Sequence, residues 1–302
     1  ARCDGSSLVP RLQSVSATIS GPLRLCLRTR GAISNLRVEA CAMPLAPSSE
    51  TGVLLLVRAV GLNFRDVLNV LGEYPGDPGP PGADMAGTVC AVDISALHAV
   101  GDAVFGVAEA PLASLAYSHR SLVAQKPAPL TYEEACALPI TWSTAHVALS
   151  RARLEARHSA IIQAAAGGVG LKALEYILWL GAHPLGTTSR PRKHLQLRST
   201  GAGTLCTSRD AAAFAVGTAQ LLAARRAHAA INSLSLDFIA ASFALLREGG
   251  TLEEIGKRGV WADQRHAVSA AHTQYDTIAL DADMAREPVQ MHSILTLTLA
   301  TR

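Results

Sequence analysis

The chain has 302 residues, 49% of them hydrophobic and 17% charged, with a formal net charge of +3. That length allows two domains with sizeable cores, and the balance excludes a disordered chain, which needs low hydrophobicity and high net charge. Only 4% of the residues are aromatic and no basic stripe is interleaved with them, so nucleic acid is not an expected partner.

The six cysteines, Cys3, Cys26, Cys41, Cys90, Cys136 and Cys206, include no Cys-x-x-Cys pair. Such spacing suits neither a structural zinc lobe nor a disulfide framework, and the expectation is scattered reduced thiols in a cytoplasmic protein. Arg2, Asp4, Gly5 and Ser6 do not open a signal peptide. The most apolar stretch, 160–182, is interrupted by glycines, Lys172 and Glu175, so no membrane span is expected. A first residue of alanine fits an excised or processed chain.

In chain order, residues 1–50 hold several short candidate strands, punctuated by Gly21-Pro22 and by the prolines at 44 and 47. The apolar run 53–60 predicts a buried strand. The spacing of Phe64, Val67, Leu68 and Leu71 predicts a helix over 63–71 that buries this face. The proline- and glycine-rich stretch 74–82 must be loop, and 87–92, 102–107 and 117–123 read as strands. Together they make an all-β, barrel-like first part. After Pro127 and Pro129 the pattern changes. Helices are predicted over 132–138 and 141–151, the first opened by a Thr131–Glu134 capping box. Strands at 160–163, 183–188, 229–231 and 251–255 then alternate with helices at 169–180, 214–225 and 236–246. Strand–helix alternation argues for an α/β fold with a doubly wound parallel sheet. The boundary falls near 126, giving domains at 1–126 and 127–302.

The strand at 159–163 runs into Ala165-x-Gly167-x-x-Gly170 and then an apolar helix. This is the Rossmann fingerprint with alanine first, and it makes Ala165, Gly167, Gly168, Val169 and Gly170 the expected pyrophosphate cradle at a helix N-terminus. The next strand ends in Ser189-Arg190-Pro191-Arg192-Lys193, and no acid stands between His183 and Thr207. A ribose 2′-hydroxyl wants a carboxylate there, whereas a 2′-phosphate wants cations. Ser189, Arg190 and Lys193 therefore point to NADPH, the other reading being a solvated helix start.

Several segments resemble one family, in its order. Residues 59–68, Ala-Val-Gly-Leu-Asn-Phe-Arg-Asp-Val-Leu, resemble the signature of polyketide and fatty acid synthase enoyl reductases. Residues 82–87, 138–145, 164–170, 208–210, 232–234 and 254–258 resemble further segments of it. The resemblance covers roughly 20–295. It implies a zinc-free member of the medium-chain dehydrogenase/reductase superfamily, with a GroES-like β-barrel domain followed by a Rossmann domain. Zinc-bearing relatives carry a cysteine at the place of Asn63 and a histidine near 83–85, so no metal is implied. The implied reaction is reduction by NADPH of the 2,3 double bond of a trans-2-enoyl thioester on an acyl carrier protein, beside neighbouring synthase domains.

The resemblance makes Tyr74 the first candidate donor of a proton to the α-carbon. Lys193 and Asp210 also match proposed donors, although Lys193 is preferred as a 2′-phosphate ligand. Asn63 and Thr144 match positions lining the nicotinamide, and Arg209, Asn232, Gly256 and Lys257 match positions near the cofactor. Arg65 and Asp66 read as an ion pair on a helix face and His146 as a packing residue. Departures include Ala83-Asp84 for Gly-Glu and His228 at the start of a strand that the family opens with aspartate. The family continues past this chain's last residue with about 60 more residues of ordinary domain structure that complete the barrel. An incomplete barrel would leave edges uncovered. A stand-alone quinone or enone reductase, and a non-catalytic structural remnant of a synthase, are the alternatives.

Overall fold

The computed structural model describes residues 2–3, 6–7, 21–42, 51–92, 97–201, 204–223, 225–234 and 236–300. The predicted punctuation at 43–47 lies outside the described residues. β1 (Arg2–Cys3) pairs antiparallel with β2 (Ser6–Ser7), and β3 (Leu23–Leu27) with β4 (Leu36–Ala40). β5 (Gly52–Gly61), β6 (Asp84–Val92), β7 (Ala103–Val107), β8 (Leu115–His119) and β9 (Val123–Gln125) form an antiparallel sheet in the order β8-β5-β6-β7-β9. The edge strands β8 and β9 are separated in sequence only by the 3-10 turn Arg120–Leu122. A three-residue link between opposite edges requires the sheet to curl, which makes it barrel-like. Val53, Leu55, Met85, Val89, Val104 and Val123 fill its interior. The single predicted strand over 117–123 is thus two strands and a turn.

α1 (Phe64–Leu71) follows β5. The side chain of Asp66 accepts from the backbone N–H of Asn63 at 2.8 Å and from that of Gly82 at 2.8 Å, so one carboxylate caps the helix and ties down the following loop. Gly72 ends the helix at φ 73°, in the left-handed region that glycine enters freely. The predicted burial is corrected here. Leu68, Asn69 and Val70 turn inward, while Phe64 is 69% and Val67 48% exposed. The predicted Arg65–Asp66 ion pair also does not form. Arg65 Nη2 donates to the carbonyl of Pro78, and Asp66 is occupied by capping.

α2 (Tyr132–Ala135) carries both bonds of the Thr131–Glu134 capping box. It stops three residues early because α3 (Pro139–Arg151) starts with proline at its first turn, where a missing N–H costs nothing. The parallel strands β10 (Ser159–Ile162), β11 (His183–Thr187), β12 (Thr204–Cys206), β13 (Ala227–Asn232), β14 (Leu246–Glu254) and β15 (Gln274–Thr277) order as β12-β11-β10-β13-β14-β15. The strand order therefore reverses between β10 and β13, the place where such sheets open a crevice at their carboxyl edge. Around the sheet lie α4 (Gly168–Trp179), α5 (Pro191–Ser199), α6 (Ala211–Leu221), α7 (Asp237–Leu245), α8 (Asp263–Ser269), α9 (Leu280–Arg286) and α10 (Pro288–Ala300).

Phe214, Ile239, Phe243 and Trp261 pack on one face. On the other, Ile162, Leu174 and Ile177 share a core with Phe105 and Ala124 of the barrel and with Met291 and Leu295 of α10. α10 also holds both halves by hydrogen bonds. Trp142 Nε1 donates to the carbonyl of Ile294 at 3.3 Å, and His292 Nδ1 lies 3.1 Å from the carbonyl of Val123. Among the described residues no helix is long and apolar enough to cross a membrane.

Candidate active site

A cleft of about 1530 Å³ opens where the loop after α1 meets the carboxyl edge of the parallel sheet. The glycine-rich turn forms one wall. Ala164 turns left-handed at φ 48°, its carbonyl accepts from Gly167 N–H at 2.8 Å, and Ala165 is buried beneath. A Cβ on Gly170 would sit 2.6 Å from Ala165 Cα, so strand end and helix start touch backbone to backbone. Gly167, Gly168, Val169 and Gly170 line the cleft and place the amino end of α4 at it. Asn63, Thr144, Tyr74, Lys193, Gly256 and Lys257 line it as well.

Two buried carboxyl groups brace this lining. Asp84 on β6 accepts from Asn63 Nδ2 at 3.0 Å and from the backbone N–H of Ile140 at 3.1 Å. Burial pushes its carboxyl up to about 8, against the pull of those two donors. Asp84→Ala leaves both half-buried donors without this acceptor. At about 1–2 kcal/mol for each half-buried donor left unpaired, the lower part of the range for orphaned groups, a loss of about 2–4 kcal/mol in urea denaturation is expected, whereas Asp84→Asn keeps an acceptor and loses less. Glu254, at the end of β14, accepts from the side chain of Asn232 and from Gly256 N–H at 2.6 Å. Burial raises it to about 7, opposed by Asn232, Gly256 and the nearby Lys257. Asn232 itself is buried, also donates to the carbonyl of Leu234 at 2.6 Å, and does not line the cleft.

Tyr74 Oη donates to Asp281 Oδ2 of α9 at 3.1 Å, across the cleft mouth, and the Arg65 guanidinium stands 5.6 Å from the centre of its ring. Burial, and after it the Asp281 charge, holds the phenol above its usual range, while Arg65 works in the other direction. Lys257 Nζ donates to the carbonyl of Ile278 at 2.9 Å. Beyond β11, Arg209 Nε donates to the carbonyl of Ser189 at 2.8 Å; Lys193 on α5 lines the cleft, whereas Ser189, Arg190 and Arg209 do not. Asp210 is not brought to the cleft. It is exposed and caps α6, accepting from Ala213 N–H at 2.8 Å, which corrects the expectation that it could donate a proton. His146 stacks on Trp142 and Tyr176 as a packing residue.

Sequence reasoning missed Glu254 and Asp281. Glu254 stands inside a segment that was recognised, and a buried carboxylate two residues before a glycine is the signal that was available. Nothing near Asp281 in sequence points to Tyr74. Among the described residues no three His, Cys, Asp or Glu side chains gather as a metal site.

No family model matches the chain. A spectinabilin polyketide synthase system protein, NorB of Streptomyces orinoci, is 34% identical over 273 residues, which are 88% of this chain and 12% of that protein. The CurK enoyl reductase superimposes with a TM-score of 0.84 at 31% identity, over 93% of this chain and 87% of that one. This chain belongs to the enoyl reductase family of polyketide synthases. The family is zinc-free and lies within the medium-chain dehydrogenase/reductase superfamily. A mycobacterial protein complexed with NADPH also shares the fold, with a TM-score of 0.81 at 25% identity over 92% of this chain and 87% of that one. The enoyl reductase fold accounts for the two larger sheets, the curled antiparallel one as the GroES-like part and the parallel one as the Rossmann part. The chain spans about an eighth of the NorB length, so it corresponds to one portion of such a synthase.

Proposed function

We propose that this chain binds NADPH and reduces the 2,3 double bond of a trans-2-enoyl thioester carried by an acyl carrier protein, next to other domains of a polyketide synthase. One observation carries the reading. A single cleft holds the glycine-rich turn, the Asn63 and Thr144 side chains and Tyr74, in a chain 31% identical to an enoyl reductase. The domain division proposed is residues 1–126 for the substrate side, ending just after β9, and 127–302 for the cofactor side.

The residues present fit the cofactor. Gly170 makes an approach that no side chain permits, α4 aims its free N–H groups at the cleft, and the end of β11 meets cations and no carboxylate. Ala165, Gly167, Gly168, Val169 and Gly170 would form the pyrophosphate cradle, with Ser189, Arg190, Lys193 and Arg209 around the 2′-phosphate. Asn63, Thr144, Asn232, Gly256 and Lys257 would border the nicotinamide, Asn232 acting from behind through Glu254. When bound, NADPH supplies the hydride that adds to the β-carbon. The chain's own contribution is to hold the thioester in line with that hydride, keep water out beneath Tyr74, and deliver a proton from Tyr74 Oη to the α-carbon.

Fluorescence titration of the purified chain with NADPH, followed by turnover of a crotonyl thioester, tests this. Absence of binding at millimolar NADPH, or a preference for quinone over the thioester, would sink it. Lys193→Ala should weaken NADPH by about 10- to 100-fold, the value of about 1.5–3 kcal/mol for a hydrogen bond to a charged group. NADH affinity should hardly change, and equal losses for both cofactors would remove Lys193 from the 2′-phosphate site.

A further inference from the structure

The loop that follows α1 reaches across the cleft at two adjacent residues. Glu73 Oε2 lies 3.5 Å from Arg258 Nη2, and Tyr74 Oη donates to Asp281 Oδ2 at 3.1 Å. We propose that Asp281 is the positioning residue for Tyr74. In this role its carboxylate anchors the phenol at one place in the cleft, so that the α-carbon receives its proton from one face only. The inference rests on reading Tyr74 as the proton donor.

A phenol at a cleft mouth with no acceptor turns about its side-chain torsions, and its oxygen samples both sides of a planar enolate. Here the ring is held at two points. The Arg65 guanidinium lies over its face, and the Asp281 carboxylate takes its hydroxyl. Both Tyr74 and Asp281 line the cleft, so the anchored oxygen is within the space that the substrate would fill. The step balances without any further reagent. The hydroxyl hydrogen of Tyr74 first turns from Asp281 to the enolate by rotation about the C–O bond while the ring keeps its place. The O–H bond then breaks, its electron pair stays on the phenol oxygen, and a C–H bond forms at the α-carbon. The phenolate is then reprotonated by solvent at the exposed Asp281 edge of the cleft. The neighbouring charges act in opposite directions. The Asp281 carboxylate disfavours a phenolate beside it and so keeps Tyr74 loaded with its proton between turnovers. The Arg65 guanidinium offsets that repulsion once the proton has left.

The test uses the full chain with NADPH and a 2-methyl-2-enoyl pantetheine thioester, whose product has a stereocentre at the α-carbon. Tyr74→Phe should change the epimer ratio. Asp281→Ala should erode the ratio by about tenfold, the worth of one hydrogen bond, with NADPH affinity unchanged. Asp281→Asn, which still offers an oxygen to the hydroxyl, should restore a ratio close to that of the unaltered chain. If Tyr74→Phe changes the ratio and Asp281→Ala does not, the positioning role is overturned while the donor stands. If Tyr74→Phe changes neither ratio nor rate, the donor reading falls and the inference with it. A second measurement needs no turnover. The ionisation of Tyr74, read as the ultraviolet difference between the chain and Tyr74→Phe, should move to lower pH in both Asp281→Asn and Asp281→Ala, and an unmoved midpoint in either variant overturns the proposal.

Discussion

Gly170→Val is expected to abolish dinucleotide binding and to lower stability at the same time. The first β-carbon alone would lie 2.6 Å from Ala165 Cα and 2.7 Å from the Ala164 carbonyl oxygen. Those neighbours are backbone, fixed by the bond from Ala165 N–H to the Thr187 carbonyl at 2.9 Å and by the left-handed turn at Ala164. Neither can move away as a flexible side chain would. Relief requires α4 to slide off the end of β10, which displaces the N–H groups of residues 167–170 from the place where a pyrophosphate would sit. Overpacking of this kind costs about 1–3 kcal/mol or more. The measurable outcome is loss of NADPH-induced fluorescence change together with a lower urea midpoint. Binding within threefold of the unaltered chain, a difference of under about 1 kcal/mol, would show that the turn is not the cradle.

Glu253→Met is expected to stabilise the protein, and more at pH 8 than at pH 5. The Glu253 side chain is fully buried, and neither carboxyl oxygen has a hydrogen-bond partner among the described residues. Burial, and after it the Asp276 charge across the β14–β15 ladder, pushes its carboxyl up to about 8, against a pull from Arg151. A raised folded value favours the folded state fully below the ordinary carboxylate range, and this contribution is lost as pH rises toward about 8. The unaltered chain should therefore melt at lower temperature at pH 8 than at pH 5. Methionine removes both the ionisable group and the orphaned oxygens in a similar volume. Replacing buried charge by apolar packing is worth about 1–4 kcal/mol, so the gain should approach that range at pH 8 and shrink at pH 5. A melting profile with the same pH slope in both proteins would contradict the assignment.

The parallel half was legible because its signals are local. A strand, a turn of small residues and an apolar helix stand consecutively at 159–179, and the missing acid after the second strand is read directly from the sequence. The antiparallel half was legible only in outline, since curling depends on which edges the turn at 120–122 brings together. The α1 face was misjudged for a physical reason. Its apolar spacing is periodic, but the side that turns inward is chosen by Asp66 capping Asn63 and binding Gly82, and that side carries Asn69. Asn69 is inside because its amide donates to the carbonyl of Gly79 at 3.0 Å and its oxygen accepts from Arg30. Asp210 shows the limit of neighbourhood in sequence. It adjoins Arg209, which does reach Ser189, yet its own carboxylate is taken by the helix it starts. The Tyr74–Asp281 contact joins residues 207 apart and leaves no trace in either segment.

α10 has a consequence for how the molecule is assembled. Its bonds to Val123 of the barrel and to Trp142 of α3 span 169 and 152 residues. Closing loops of that length must precede any reward from the contacts, so structures built on them form slowly. During synthesis the outer edge of β9 and the facing side of α3 wait for α10 to emerge. The glycine-rich turn, by contrast, is complete once β10, α4 and β11 have been made. The turn and its two strands can nucleate early, and the open side of the barrel at β9 is covered only when α10 packs there.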